Sequence, residues 1–184
     1  MRSMGIDLSL TGTGIVVLEA FKHLDGYATP PKVVIEYEIK TKPMASRFMR
    51  YDSIASQILG EIEAQQTPDR IVIENYGVSK MQNGQIEIIE LGGIIRGILF
   101  SQGLTWLDPT PSELKKFISG KGNTPKDLIP MHVLSRWKHE CKTNNTADAF
   151  GLAAMGLAWA GKLDHMTQPM YDVIGSLKLH KMAA

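Results

Sequence analysis

The stretch Ile71-Val72-Ile73-Glu74-Asn75-Tyr76 places an acid directly after three β-branched apolar residues. Such a run reads as the end of a buried strand, where an ionised carboxylate is costly unless a positive partner neutralises it. A cation should therefore sit on Glu74. Met4-Gly5-Ile6-Asp7 repeats the same grammar, and Asp148 lies in an otherwise apolar helix of small residues. Three costly acids, far apart in sequence, point to one shared cation site.

Outward from that strand, residues 3–9 and 14–19 predict two strands joined by a hairpin turn at Leu10-Thr11-Gly12-Thr13. Residues 32–40 alternate as a third, more exposed antiparallel strand, after a loop from Phe21 to Pro31. Helical spacing of apolar residues runs from Ser46 to Ala64, and Thr67-Pro68-Asp69 ends that helix and starts the strand reaching Glu74. A polar loop is expected from Gly77 to Gly84. Residues 86–100 then predict a glycine-bearing helix, apolar over more than one face, which fits either a buried core or a dimer seam. Residues 104–107 predict a fifth strand. Pro111 starts a short helix ending near Gly120, and Thr124 and Pro125 suit the N-cap and first position of another. The last helix is expected from about Thr146 to Gly161. This order predicts an α/β domain over residues 1–161 with a five-stranded mixed sheet, followed by a polar tail over residues 162–184 with a short apolar piece around Tyr171 to Leu179.

Composition narrows the class. A chain of 184 residues suits one domain with a sizeable core. Its charged fraction of 21% and apolar fraction of 43% are ordinary and argue against disorder. No run of about 18 apolar residues and no signal-like start is present, so no membrane span or secretion is expected and a cytoplasmic setting is. Cys141, the only cysteine, cannot form an internal disulfide and carries no nucleophile signature around it. His132, His139 and the ten methionines show no usable spacing and read as surface or core filler. Net charge is +1, but between residues 115 and 142 seven basic residues face two acids. A basic segment opposite an acidic site is what a polyanion substrate requires, with the acids carrying metal and the bases holding phosphates.

Three acidic motifs occur in order: Gly5-Ile6-Asp7-Leu8-Ser9-Leu10-Thr11-Gly12-Thr13-Gly14, Ile73-Glu74, and Ala147-Asp148-Ala149-Phe150-Gly151-Leu152-Ala153. Between the second and third lies Pro111-Ser112-Glu113-Leu114-Lys115-Lys116-Phe117-Ile118-Ser119-Gly120-Lys121-Gly122-Asn123-Thr124-Pro125-Lys126. Together they resemble the RuvC-type Holliday junction resolvases of the RNase H-like nuclease superfamily, over about residues 3 to 160. The lysine segment is the closest fit, and the spelling is most similar to phage-encoded members, for which the setting would be the host cytoplasm.

The resemblance implies an endonuclease that hydrolyses phosphodiester bonds at four-way or branched DNA junctions. It implies Asp7, Glu74 and Asp148 as metal-binding carboxylates, with Lys126 beside them as a charge-stabilising lysine. Lys115, Lys116 and Lys121 would join Lys126 on DNA, and Tyr76 falls near an aromatic that stacks at the junction centre. It also implies a homodimer through the helix at 86–100, and Mg²⁺ as cofactor, two ions per site with Mn²⁺ able to substitute. Two such ions activate the attacking water and stabilise the leaving oxygen, and a lysine offsets the extra charge of the transition state. Asn145 departs from the pattern, standing where the family carries a second acid one helical turn before the last. Its amide oxygen can coordinate Mg²⁺ but brings no charge. Natural variation, with Asn144, Asp127 or water filling in, and a replacement trapping an inactive form both fit that departure.

Three other readings are open to the sequence. One is a less selective branched-DNA or RNA-processing nuclease of the same fold. Another is a junction-binding protein that does not cut, because of Asn145. The third is a fragment of an actin-like ATPase, whose first phosphate loop is similar to Asp7-Leu8-Ser9-Leu10-Thr11-Gly12 but whose fold needs two such domains.

Overall fold

The computed structural model describes residues 1–20, 30–76 and 84–180. Most of the loops expected at 21–31 and 77–84 lie outside these residues. Six strands form one sheet in the order β3-β2-β1-β4-β5-β6. These are β1 Arg2–Asp7, β2 Thr13–Glu19, β3 Lys32–Ile39, β4 Arg70–Ile73, β5 Trp106–Leu107 and β6 Leu179–His180. The first three pair antiparallel, β1, β4 and β5 run parallel, and β6 returns antiparallel to β5.

The alternation of each strand sorts its side chains onto two faces. Met4 and Ile6 of β1, Ile15 and Val17 of β2, and Ile71 and Ile73 of β4 pack with helices α1 (Arg47–Ala64) and α2 (Gln85–Ser101). Val16, Leu18 and Val72 pack on the opposite face with α3 (Pro111–Ser119), α4 (Ile129–Trp137), α5 (Asn144–Trp159) and α6 (Gln168–Ser176). Both faces being covered explains why β1, β2 and β4 read as continuous apolar runs.

Helix α5 is buried almost throughout and lies directly on β1 and β2. Small residues make that approach possible. A Cβ at Gly5 would collide with the Ala149 carbonyl, and one at Gly14 with the Asn145 carbonyl. The catalogue of small residues in α5 thus has a partner set of glycines on the strands beneath it.

Three expectations are corrected. The sheet has six strands rather than five, because Leu179 and His180 pair with Leu107 and Trp106. His180 stacks on the Trp106 ring at 5.4 Å and meets Asp108 Oδ1 at 2.7 Å. Second, the stretch expected as a polar tail folds onto the domain up to residue 180, with Met170 and Val173 of α6 buried against its core. The short apolar piece expected around Tyr171 to Leu179 overlaps α6, whereas a two-residue strand is too short to leave a periodic signal. Third, Thr124 does not cap a helix. Its hydroxyl meets Ser119 Oγ at 2.6 Å and donates to the Lys121 carbonyl at 2.9 Å, while Lys126–Leu128 form a 3₁₀ turn before α4. Among the described residues, no helix is long and apolar enough to cross a membrane.

Candidate active site

The pairing of β1 with β4 brings the first two acids together. Ile6 lies opposite Ile73, and the register extends one step further through a Glu74 N–H to Ile6 carbonyl bond of 3.3 Å. Because Ile6 and Ile73 point toward α1 and α2, the residues after them, Asp7 and Glu74, turn to the α5 face. The third acid comes from α5. Thr143 caps that helix by accepting from the Thr146 N–H at 3.1 Å, and Asn145 and Asp148 then share a face at a spacing of three. Asp7 is 4% exposed and Asp148 6%.

The Lys126 ammonium contacts two of the carboxylates and is near enough to the third, Glu74, to lower its pKa. Lys126 Nζ lies 2.9 Å from Asp148 Oδ2, 3.8 Å from Asp7 Oδ2 and 3.3 Å from Asn145 Oδ1. That is not enough positive charge. Burial, more than any neighbour, pushes the Asp7 carboxyl up to about 7, with Lys126 pulling down and Asp148 pushing up. Burial likewise lifts Glu74 to about 8, reinforced by Asp7, to which it is hydrogen-bonded, and by Asp148. Asp148 is raised by burial despite Lys126 and Lys115. Burial works against the Lys126 ammonium, yet Asp7, Asp148 and Glu74 together lift it above the usual lysine range.

These residues fit a hard divalent cation. The donors are carboxylate and amide oxygens only, which suits Mg²⁺ or Mn²⁺ rather than a thiophilic ion. Two carboxyls raised to about 7 and about 8 mark a shortage of positive charge that such an ion would relieve.

Asn145 is built into the site by both ends of its amide. Its oxygen faces Lys126, while its Nδ2 donates to the Gly12 carbonyl at 2.8 Å in the β1–β2 turn. The ammonium can only donate and the carbonyl can only accept, so this orientation follows from the partners.

The other expected residues are distributed unevenly. Lys115 is close enough to Asp148 to lower its pKa, whereas Lys116 pairs with Asp172 of α6 at 3.1 Å and Lys121 is exposed. Tyr76 is tied to α2. Its hydroxyl donates to the Ile89 carbonyl at 3.1 Å and accepts from Arg96 Nη1 at 2.9 Å, and the Arg96 guanidinium lies 5.0 Å from the ring centre. A Cβ on Gly92 would strike that hydroxyl. The ring borders a cleft of about 180 Å³ that Glu74, Ile88 and Pro111 also line.

Three residues at the site escaped the sequence reading. Glu38 lies on β3 opposite Gly14, accepts from the Thr143 hydroxyl at 2.6 Å, and raises the Asp7 pKa. Its signal was the acid-aromatic-acid alternation Glu36-Tyr37-Glu38, which turns both acids toward α5. Arg96 donates to the Glu74 carbonyl at 2.9 Å. Arg50 fixes the first motif by donating to the Leu10 carbonyl at 2.6 Å. Long-range arginine contacts of this kind leave no local pattern.

No family model matches the chain. Among curated proteins it is 30% identical over 181 residues to the crossover junction endodeoxyribonuclease RuvC of Corynebacterium glutamicum, covering 94% of this chain and 76% of that one. It is 27% identical over 165 residues to the protein of the same name from Carboxydothermus hydrogenoformans, covering 89% and 99%. Its fold is similar to Thermus thermophilus RuvC in complex with Holliday junction substrate, with a TM-score of 0.73 and 19% identity over 98% of this chain and 99% of that one.

Proposed function

The chain belongs to the RuvC family of metal-dependent crossover junction endodeoxyribonucleases, and from that premise we propose how its residues resolve a Holliday junction. The observation that supports the assignment of roles is the cluster of Asp7 and Asp148 on the Lys126 ammonium, with Glu74 hydrogen-bonded to Asp7. These three carboxylates, with the Asn145 amide oxygen, would hold two Mg²⁺ ions. Bound there, the ions would lower the pKa of an attacking water and neutralise charge on the phosphate and the leaving oxygen.

The chain's own groups do the rest. Asp7, hydrogen-bonded to Glu74 and 3.8 Å from the Lys126 ammonium, would be one of the carboxylates that hold the metal. Lys126 has a half-exposed side chain, so once cations satisfy the carboxylates its ammonium can turn to a phosphate oxygen. Lys115 lies at the same edge, and Lys121 extends the basic border to the exposed loop after α3. Lys116 contributes less, because Asp172 already holds it. Tyr76 offers a ring beside the cleft at Glu74, where an unpaired base could stack for about 1 to 3 kcal/mol.

Cutting both strands of a junction needs two sites in a fixed relation, and α2 offers the surface. Leu91, Ile95 and Leu99 face the core, while Ile86, Gly93, Gly97 and Phe100 form an exposed stripe along the opposite side. Among the described residues, no atom lies within 4 Å of where a Cβ on Gly93 or Gly97 would sit, so a second α2 could approach closely there. The two acids after the parallel strands would then be repeated across a two-fold axis.

The test is cleavage of a labelled four-way junction by the purified protein, beside a duplex of the same sequence, with Mg²⁺ or with chelator. Paired nicks on the junction that require Mg²⁺ are expected. Equal cutting of the plain duplex would defeat junction selectivity.

A further inference from the structure

A second cluster of ligating side chains lies on the α5 face and shares no residue with the catalytic acids, although Asp148 is near enough to raise the Cys141 pKa. Glu36 on β3 and His139 and Cys141 in the connection between α4 and α5 bring a carboxylate oxygen, a ring nitrogen and a sulfur within 4.8 Å of one another. The Glu36 side chain is only 5% exposed. Its Oε1 is fixed by the Lys142 N–H at 2.7 Å and the Thr146 hydroxyl at 2.7 Å, which leaves Oε2 facing His139 Nε2 at 2.9 Å. The His139 ring is held flat against Phe150, with centres 5.2 Å apart. Glu36 and His139 are thus each oriented by neighbours that are not themselves ligands, which is how protein metal ligands are held.

We propose that Glu36, His139 and Cys141 form a site for a zinc-class divalent ion, which clamps strand β3 to the start of the catalytic helix α5. The donor set of imidazole, thiolate and carboxylate selects zinc-class ions and disfavours Mg²⁺, which takes oxygen ligands. Metal–ligand bonds of about 2.0 to 2.3 Å in a tetrahedron separate the donor atoms by roughly 3.3 to 3.7 Å, so small side-chain movements complete the site. One carboxylate and one thiolate neutralise the ion. The thiol proton and the proton between Oε2 and Nε2 pass to solvent as the metal enters. His139 is 24% exposed, which leaves an open side for a water as fourth ligand.

The location gives the site a consequence. Cys141 is two residues before the Thr143 cap of α5, and Thr146, which bonds the same Glu36, sits between Asn145 and Asp148. An ion here would fix the turn of helix that carries two of the catalytic oxygens, without touching them.

The experiment titrates the metal-free protein with Co²⁺ and follows thiolate-to-cobalt absorption, with thermal melting measured in parallel. One equivalent of absorbing Co²⁺ is expected, displaced by Zn²⁺ and untouched by excess Mg²⁺. The band should persist in Asp7→Asn and disappear in Cys141→Ser, with affinity falling at least about tenfold in His139→Gln. The metal-free melting temperature of each variant reports whether it folds. The absence of a thiolate band in the folded wild-type protein would overturn the proposal. So would a band retained in Cys141→Ser, or a Zn²⁺-induced rise in melting temperature equal in wild type and that variant.

Discussion

At Asn145 a single amide does what a carboxylate could not. Its Nδ2 donates to the Gly12 carbonyl while its oxygen accepts from Lys126. In Asn145→Asp the first of these bonds becomes a contact between two acceptors, and a fourth acid joins three whose charge Lys126 and Lys115 do not fully offset. The metal-free variant should therefore lose about 1 to 2 kcal/mol of stability, seen in a chemical melt with chelator present. Divalent cations should bind it more tightly, so the Mg²⁺ concentration for half-maximal cutting should fall by about tenfold. A variant that needs more Mg²⁺ than wild type would contradict the placement of Asn145 beside the ions. The same shortage of positive charge sets a pH dependence. Folded Asp7 and Glu74 hold their protons to about 7 and about 8, above their unfolded values, so their contribution to stability is full in acid and lost as pH rises through that range. The metal-free protein should melt at a lower temperature at pH 9 than at pH 6, with much of the difference removed by Mg²⁺ or by Asp7→Asn. A melting temperature that rises with pH over this window, in chelator, would show that the acids are not held protonated.

Helix α5 decides the precision of the site, because its seat on the sheet places Asn145 and Asp148 against Asp7. That seat depends on strand positions with no Cβ. Gly5→Ala should cost about 3 kcal/mol, a fall of roughly 6 to 12 °C in melting temperature, since backbone rather than a flexible side chain blocks the new atom. Junction cutting should fall more than junction binding in the folded fraction. An unchanged melting temperature would mean that the helix does not rest on β1 as described. The elements themselves were largely legible in sequence. Long apolar strands, the amphipathic α1 and the small-residue α5 carry periodic signals, and acids ending such runs stand out because a buried charge is costly. What failed was short or long-range. The two-residue β6 has no period, and Thr124 looked like a cap because capping chemistry also serves a loop. The alternation around Glu38 gave its face but not its register against Gly14, and Arg96 reaches the site through tertiary packing that no local window contains.

At the scale of the whole molecule, two copies are proposed to present their acid sites together. The exposed stripe on α2 is the place to break that relation. Phe100→Glu adds a charge to the stripe far from the acids and should yield a monomer by light scattering, with paired cutting of junctions lost and single nicks retained at most. A dimer that survives this change would move the interface elsewhere. With Lys115, Lys121 and Lys126 proposed to meet phosphates, salt should weaken DNA binding steeply, and charge reversal at Lys121 should reduce that salt slope by about one. The central claim remains that Asp7, Glu74 and Asp148 cut a junction by holding metal, rather than by binding it. Asp7→Asn, assayed on a labelled four-way junction with Mg²⁺, tests it most directly. Cutting should fall by at least about a thousandfold, a loss of some 4 kcal/mol of transition-state stabilisation, while junction affinity stays within a few fold of wild type. Cutting at the wild-type rate, or loss of junction binding in parallel with loss of cutting, would contradict the role given to the acids.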